Sequence, residues 1–200
     1  MALPAPITSR DGIDFTRYVI LKGESDNSEF LLSFDAAKNA ELITEMTQER
    51  DPAATDPVVV EISKTGADVI QLVVQYLEYH KDNKAQAIDK DSEGVMKGGV
   101  NDNITESDKA FLYEKLVTGG EDKTIPEMLI NVTNAAHFLR IGSLKELGCM
   151  WVATKLRSMI SQKKSVVECA EEIREYFGVE RGYNNEEYEQ LKFMCAWVDE

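Results

Sequence analysis

The chain has 200 residues, 22 Lys plus Arg against 36 Asp plus Glu, a formal net charge of −14 and 43% apolar residues. A chain of this length buries roughly 70% of its unfolded surface and needs no disulfide or metal to hold it together. Its apolar share belongs to a folded protein and not to an acidic disordered tail, and its charge argues against nucleic acid or an anionic membrane as a main partner, since both repel an acidic face.

Residues 1–15, with Pro4, Pro6, Asp11 and Gly12, read as a flexible lead, and Met1–Arg10 lacks the cationic start and apolar run of a signal peptide. Arg17–Lys22 is a short β-rich run. Turn signals over Gly23–Ser28 and a second run, Glu29–Phe34, predict a β-hairpin. Asp35 is placed to cap a helix over 36–46, with Ala36, Ala40, Ile43 and Met46 on one face. After a polar loop with Pro52 and Pro57, Val58–Ile62 reads as a third strand. Thr65-Gly66-Ala67-Asp68 resembles a capping box opening a helix with Val69, Ile70, Val73, Val74 and Leu77 at helical spacing. His80, at the end of that helix, is expected as a solvated cation near the C-terminal carbonyls.

Residues 82–103 are rich in Asp, Lys, Gly and Asn and have little apolar periodicity, which predicts a long mobile loop. From there the chain reads as almost wholly helical. Thr105 with Asp108, Thr124 with Glu127, Ser143 with Glu146 and Ser165 with Glu168 form four candidate capping boxes. Gly142 and Gly178 fall where helix stops are expected, and a last helix runs from about Asn185 to Val198.

Catalytic patterns are sparse. Neither His80 nor His137 sits in a zinc-protease or serine-hydrolase motif, and the Gly98-Gly99 and Gly119-Gly120 pairs lack the Lys-Ser/Thr of a phosphate loop. Cys149, Cys169 and Cys195 are odd in number with no CxxC spacing, which predicts reduced thiols in the cytoplasm or nucleus. Their apolar helical settings predict small core residues. No apolar stretch approaches the ~20 residues of a membrane helix. No catalytic residue, metal, cofactor or small-molecule substrate is expected.

The informative anomaly is an apolar surplus near residue 200. On a helical wheel Tyr188, Leu191, Cys195 and Val198 share one face, while Phe193 and Trp197 fall on nearly the opposite one. A terminal helix on a small domain normally buries one stripe, so the second stripe calls either for another layer of the same protein or for a partner. Ile173, Tyr176, Phe177 and Val179 add apolar surface just upstream, and two short amphipathic helices of this kind suit docking to another protein.

Tyr18–Lys22, Glu29-Phe30, Val58–Val60, the Asp68–Leu77 helix and Asn134–Ile141 together resemble the BTB/POZ fold. The closest likeness is to the S-phase-kinase-associated adaptors of Skp–cullin–F-box (SCF) ubiquitin ligases, with elongin C next. The tail favours the former. Ala170-Glu-Glu-Ile-Arg-Glu-Tyr-Phe-Gly-Val179, leading into Asn185-Glu-Glu-Tyr-Glu-Gln-Leu-Lys-Phe-Met-Cys-Ala-Trp197, is similar to an adaptor signature that elongin C lacks.

The resemblance implies an α+β BTB/POZ domain over 16–142, a helical extension over 143–200, and a non-catalytic role bridging a cullin to F-box proteins. It places His137, Phe138 and Arg140 on the cullin-binding face, and Cys149, Val152, Ile173, Phe177 and Trp197 on or beside the F-box-binding surface. Other BTB/POZ roles remain open: an elongin-type or homo-oligomeric module, or a structural subunit of a chromosome-segregation complex. His137 stands where the family has Asn, Arg140 replaces a usual Asp, and Ser107-Asp108 replaces a Trp-Asp pair. The first two changes predict a more basic cullin face. Extra residues fall around Leu116–Lys123 and between Val152 and Glu171. Asn185 occupies the place of a prolyl-hydroxylation site found in some members, so that modification is not expected.

Overall fold

The computed structural model describes residues 4–49, 56–118, 124–160, 165–180 and 184–195. Strands β1 (Tyr18–Gly23) and β2 (Glu29–Ser33) form the antiparallel hairpin, with Val19 opposite Leu32 and Leu21 opposite Phe30. Strand β3 (Val59–Ile62) joins the other edge of β1 in parallel, so the sheet order is β2-β1-β3. As the central strand, β1 is covered on both faces. Val19, Ile20 and Leu21 are all fully buried, which explains a continuous apolar run instead of an alternating one.

A parallel pairing needs a crossover, here built from α1 (Phe34–Ala37) and α2 (Glu41–Gln48). The single helix expected over 36–46 is therefore two. Ser33, not Asp35, caps α1, its Oγ accepting from the Ala36 N–H at 3.3 Å. The N–H groups of Asn39 and Ala40 then bond back to the carbonyls of Ala36 and Ala37. These tight i→i−3 bonds end α1 after one turn and let Ala36, Ala40 and Ile43 all stay buried, whereas Met46, expected on the same face, is exposed.

Helix α3 (Ala67–His80) packs on β2 and lies in the middle of the core. Its cap comes from elsewhere than the expected box. Thr65 donates its hydroxyl to the Ser63 carbonyl, and the Ala67 N–H donates to Asp26 Oδ2 at 2.8 Å, 41 residues away in the hairpin turn. The Asp26 carboxyl is held below its ordinary value by hydrogen bonds from Ser28 and then from the Ala67 N–H.

The 82–103 stretch contains an isolated antiparallel bridge between Lys90 and Met96 and ends in a 3₁₀ turn, Val100–Asp102. It is anchored by Val100 in the core and by Ile88 and Met96 packed against it, and a polar network joins these anchors. The buried Asn103 amide donates to the carbonyls of Lys97 and Gly99 and accepts from the Asp89 N–H. The apolar anchors stand eight and four residues apart without a repeating helical or strand period, and the polar bonds leave none for a sequence reading to find. Helix α4 (Glu106–Phe111), capped by Thr105 through the Asp108 N–H at 3.1 Å, runs into a π-helical turn over Leu112–Leu116.

Helices α5 (Glu127–Phe138) and α6 (Gly142–Ile160) pack closely against each other. Two of the expected capping boxes do not form here. Pro126 holds the N-cap position of α5 with no side-chain cap bond. Gly142 opens α6 instead of stopping a helix, so Ser143 lies inside the first turn, where its hydroxyl pairs with the Tyr76 phenol. Arg140 takes the stop position that Gly142 was expected to hold.

Helix α7 (Val166–Tyr176) carries the reciprocal Ser165–Glu168 box and closes at Gly178, φ +66°, with the Val179 N–H on the Arg174 carbonyl. Helix α8 (Asn185–Cys195) starts from Asn184, whose Oδ1 accepts from the N–H groups of Glu186 and Glu187. α7 packs on α6 and α8 on α7, and the Ile125 N–H donates to the Tyr176 carbonyl at 2.9 Å, fastening the end of α7 beside the start of α5. A small mixed sheet with helices packed around it is the α+β, BTB/POZ-like architecture that the sequence likeness implied.

Candidate functional site

Two exposed regions gather the residues singled out above. The first is the corner between α5 and α6. The Ile141 N–H bonds to the Ala136 carbonyl at 2.8 Å and the Arg140 N–H to the His137 carbonyl at 3.2 Å, while Arg140 itself sits at φ +55°. This is the closure usually made with glycine or asparagine. For an arginine the left-handed conformation costs roughly 1 kcal/mol, so something else must hold it. The Arg140 guanidinium meets Glu45 of α2, Nη1 donating to both carboxylate oxygens at 2.7 and 2.8 Å. Around the corner Ala135, Ala136, Leu139 and Ile141 are buried, whereas His137 is exposed and Phe138 is 46% exposed. An aromatic that core packing has left in solvent is available for a partner. Glu45 carries no motif and lies 95 residues from Arg140, so no sequence spacing could have paired them.

The second region runs along α6, α7 and α8. Cys149 is exposed, which corrects the expectation of a core cysteine: its neighbours Gly148 and Met150 point inward and it does not. Val152 and Ile173 are half-buried against the core. Tyr176 is buried near Trp151, ring centroids 6.4 Å apart, and Phe177 stands edge-on to Tyr176 at 5.6 Å while remaining 37% exposed. No residue of α8 is buried. Phe193, one of the two residues of the outer stripe, is 84% exposed, and its neighbour Met194 is 61% exposed. Met194, Ile160 and Val166 are further exposed apolar residues on these helices and were not distinguished in the sequence. Trp197 lies outside the described residues.

The histidine expected in solvent is instead in the core. His80 Nε2 lies 2.9 Å from Asp108 Oδ1 and Nδ1 lies 2.7 Å from the Asn83 carbonyl, with both His80 and Asp108 buried. Burial pushes the Asp108 carboxyl up, but hydrogen bonds from His80 and Thr105 outweigh it and hold the group below its ordinary value. The nearby Ser107 hydroxyl accepts from the Tyr79 phenol at 2.7 Å. Both His80 nitrogens are thus engaged away from Ser107, and the histidine is not set as a base toward it. Among the described residues no cluster of His, Cys, Asp or Glu could hold a metal ion, and no helix is long and apolar enough to cross a membrane.

No protein-family model matches the sequence. Individual proteins do. The chain is 24% identical over 176 residues to Suppressor of kinetochore protein 1 of Schizosaccharomyces pombe, an alignment covering 88% of this chain and 94% of that protein. It is 24% identical over 176 residues to the E3 ubiquitin ligase complex SCF subunit sconC of Arthroderma benhamiae, covering 88% and 92%. With SKP1-like protein 5 of Arabidopsis thaliana it shares 25% over 180 residues, covering 90% of this chain and 96% of the other. The chain is similar over most of its length to proteins named as SCF subunits and as a SKP1-like protein. These alignments cover 88–90% of the chain.

Proposed function

We propose that this chain is an adaptor subunit of an SCF-type ubiquitin ligase, binding a cullin scaffold at the α5–α6 corner and the F-box of a substrate receptor along α6–α8. The observation that carries the reading is the nearly full-length likeness to proteins named as SCF subunits. The exposed aromatics support it. An adaptor works by presenting two docking faces at a fixed separation, and a shared packed core between them supplies the rigidity. Its role is binding and not bond-making. Phe138 and His137 serve the cullin side. Cys149, Val152, Ile173, Phe177 and Trp197 serve the F-box side, across an interface on the order of 1,600 Å². The proposed place of action is the cytoplasm and nucleus, where the free thiols of Cys149, Cys169 and Cys195 stay reduced.

The test is calorimetry of the purified chain against a cullin N-terminal fragment and against an F-box protein. Trp197→Ala is expected to weaken F-box binding by about 2 kcal/mol, as loss of a buried aromatic anchor does, and to leave cullin binding unchanged. Wild-type F-box affinity in that variant would remove Trp197 from the interface, and failure of the wild-type chain to bind either partner would refute the adaptor reading. A second reading, a structural subunit of a kinetochore complex, is favoured by the name of the fission-yeast relative. It predicts F-box binding without a cullin in the same measurements.

A further inference from the structure

Helix α2 begins without a side-chain cap, since Ala40 holds its N-cap position. Its first N–H groups therefore need acceptors from outside the helix, and the α5–α6 corner provides them. The Glu41 N–H points at the Arg140 carbonyl at 3.5 Å and the Leu42 N–H at the Leu139 carbonyl at 3.4 Å. Both bonds lie at the long edge of the useful range, so the backbone alone holds this seam weakly. One turn further along α2, four residues after Glu41 and on the same face, Glu45 takes the Arg140 guanidinium at 2.7 and 2.8 Å. Arg140 thus touches α2 twice, by its carbonyl and by its side chain, from a left-handed conformation that turns α5 into α6. The two residues immediately before Leu139 are the exposed His137 and Phe138.

We propose that Arg140 is a positioning residue: its ion pair with Glu45 clamps α2 to the α5–α6 corner and fixes how Phe138 and His137 are presented to the partner. This rests on the adaptor reading and revises the charge expected of that face. Arg140 and Glu45 are both about half exposed, and they present to solvent a paired charge and not a lone positive one. The partner surface that fits is an apolar pocket for the Phe138 ring and not an acidic patch facing Arg140. The clamp is itself a solvent-exposed ion pair, so raising the salt concentration weakens it and, with it, association at this face.

A charge-swap cycle tests the clamp on the intact chain. Arg140→Glu, Glu45→Arg, the double swap Arg140→Glu/Glu45→Arg, and Phe138→Ala are titrated against the cullin N-terminal fragment, at low and high salt. Each single charge variant is expected to lose about tenfold in affinity, within the usual range of coupling for contacting groups. The double swap restores binding to near wild type, and Phe138→Ala loses at least as much as either single. A swap as weak as Arg140→Glu alone would overturn the proposal by placing Arg140 in direct contact with the partner. Single variants that bind like wild type would overturn it too. The free chain supplies a second readout, amide hydrogen exchange at Leu42 and Ile141. Exchange there accelerates in each single variant and slows again in the swap; unchanged rates in all variants would dismiss the clamp even without a partner. If the wild-type chain binds no cullin fragment, the adaptor reading falls while the exchange data still decide whether the clamp exists.

Discussion

His80 and Asp108 show how a polar pair becomes structural. Neither side chain is accessible, and the ring bridges α3, the start of the 82–103 loop and α4. Breaking such a pair by removing one partner leaves the other buried and uncompensated. Asp108→Asn is therefore expected to destabilise the fold by about 3 kcal/mol, read from denaturant unfolding. The pH dependence has a definite sign. Because the folded-state carboxyl of Asp108 lies below its ordinary value, its contribution is complete above the unfolded value of about 3.9 and is lost as the pH falls through the folded one. The wild-type chain should lose more stability than Asp108→Asn on acidification below about pH 4; equal acid sensitivity would show that the pair contributes little. The sequence revealed Asp108 only as a capping-box residue, which it also is, through its own N–H on Thr105. Its second role needs a contact 28 residues away, and that lay beyond any local pattern.

At the scale of elements, the crossing of α5 and α6 depends on one absent side chain. A Cβ built on Gly148 would lie 2.0 Å from Thr133 Oγ1, and that hydroxyl is engaged with the Leu129 carbonyl at 2.6 Å. Gly148→Ala must push the helices apart or break the Thr133 bond, with an expected loss of about 2 kcal/mol and a lower thermal midpoint. The paired change Gly148→Ala/Thr133→Ala should recover part of it. Strands and helices were legible where one physical signal dominated: the three apolar strand runs, the stripe of α3, and the reciprocal Ser165–Glu168 box. Helix caps and stops were misassigned where tertiary groups replaced local ones. Asp26 caps α3 from the hairpin turn, and Arg140 with Glu45 closes α5 in place of a glycine. The Thr124 and Ser143 boxes failed for a different reason, since proline and a first-turn position took the roles their side chains would have filled.

For the whole molecule, the charge of −14 and the apolar surface belong together. Glu186, Glu187 and Glu189 sit on the helix that leaves Phe193 and Met194 in solvent, and repulsion between like-charged molecules keeps such a surface from self-association. Phe193→Ser should leave the melting temperature nearly unchanged, because surface substitutions away from packed features usually fall within about 0.5 kcal/mol. It should weaken F-box capture if α8 docks there. A large drop in melting temperature would instead mark Phe193 as part of the fold. The exposure of Phe193 was readable from the helical wheel, as was the likeness of the tail. The corner face was readable only in part, because its exposure depends on how α2 is seated against it.

The parallel pairing of β3 with β1 carries a consequence for the order in which the chain assembles. The central strand near residue 20 gains its second neighbour only once residues 59–62 exist, and α3 gains its cap from Asp26 over a similar span. All these partners lie within the first 80 residues. During synthesis from the N-terminus, at about 5–20 residues per second, the sheet and α3 can join while α5 to α8 are still unmade. The helices with the most exposed apolar surface emerge last, when β1 already has both neighbouring strands and α3 is in place to receive α5.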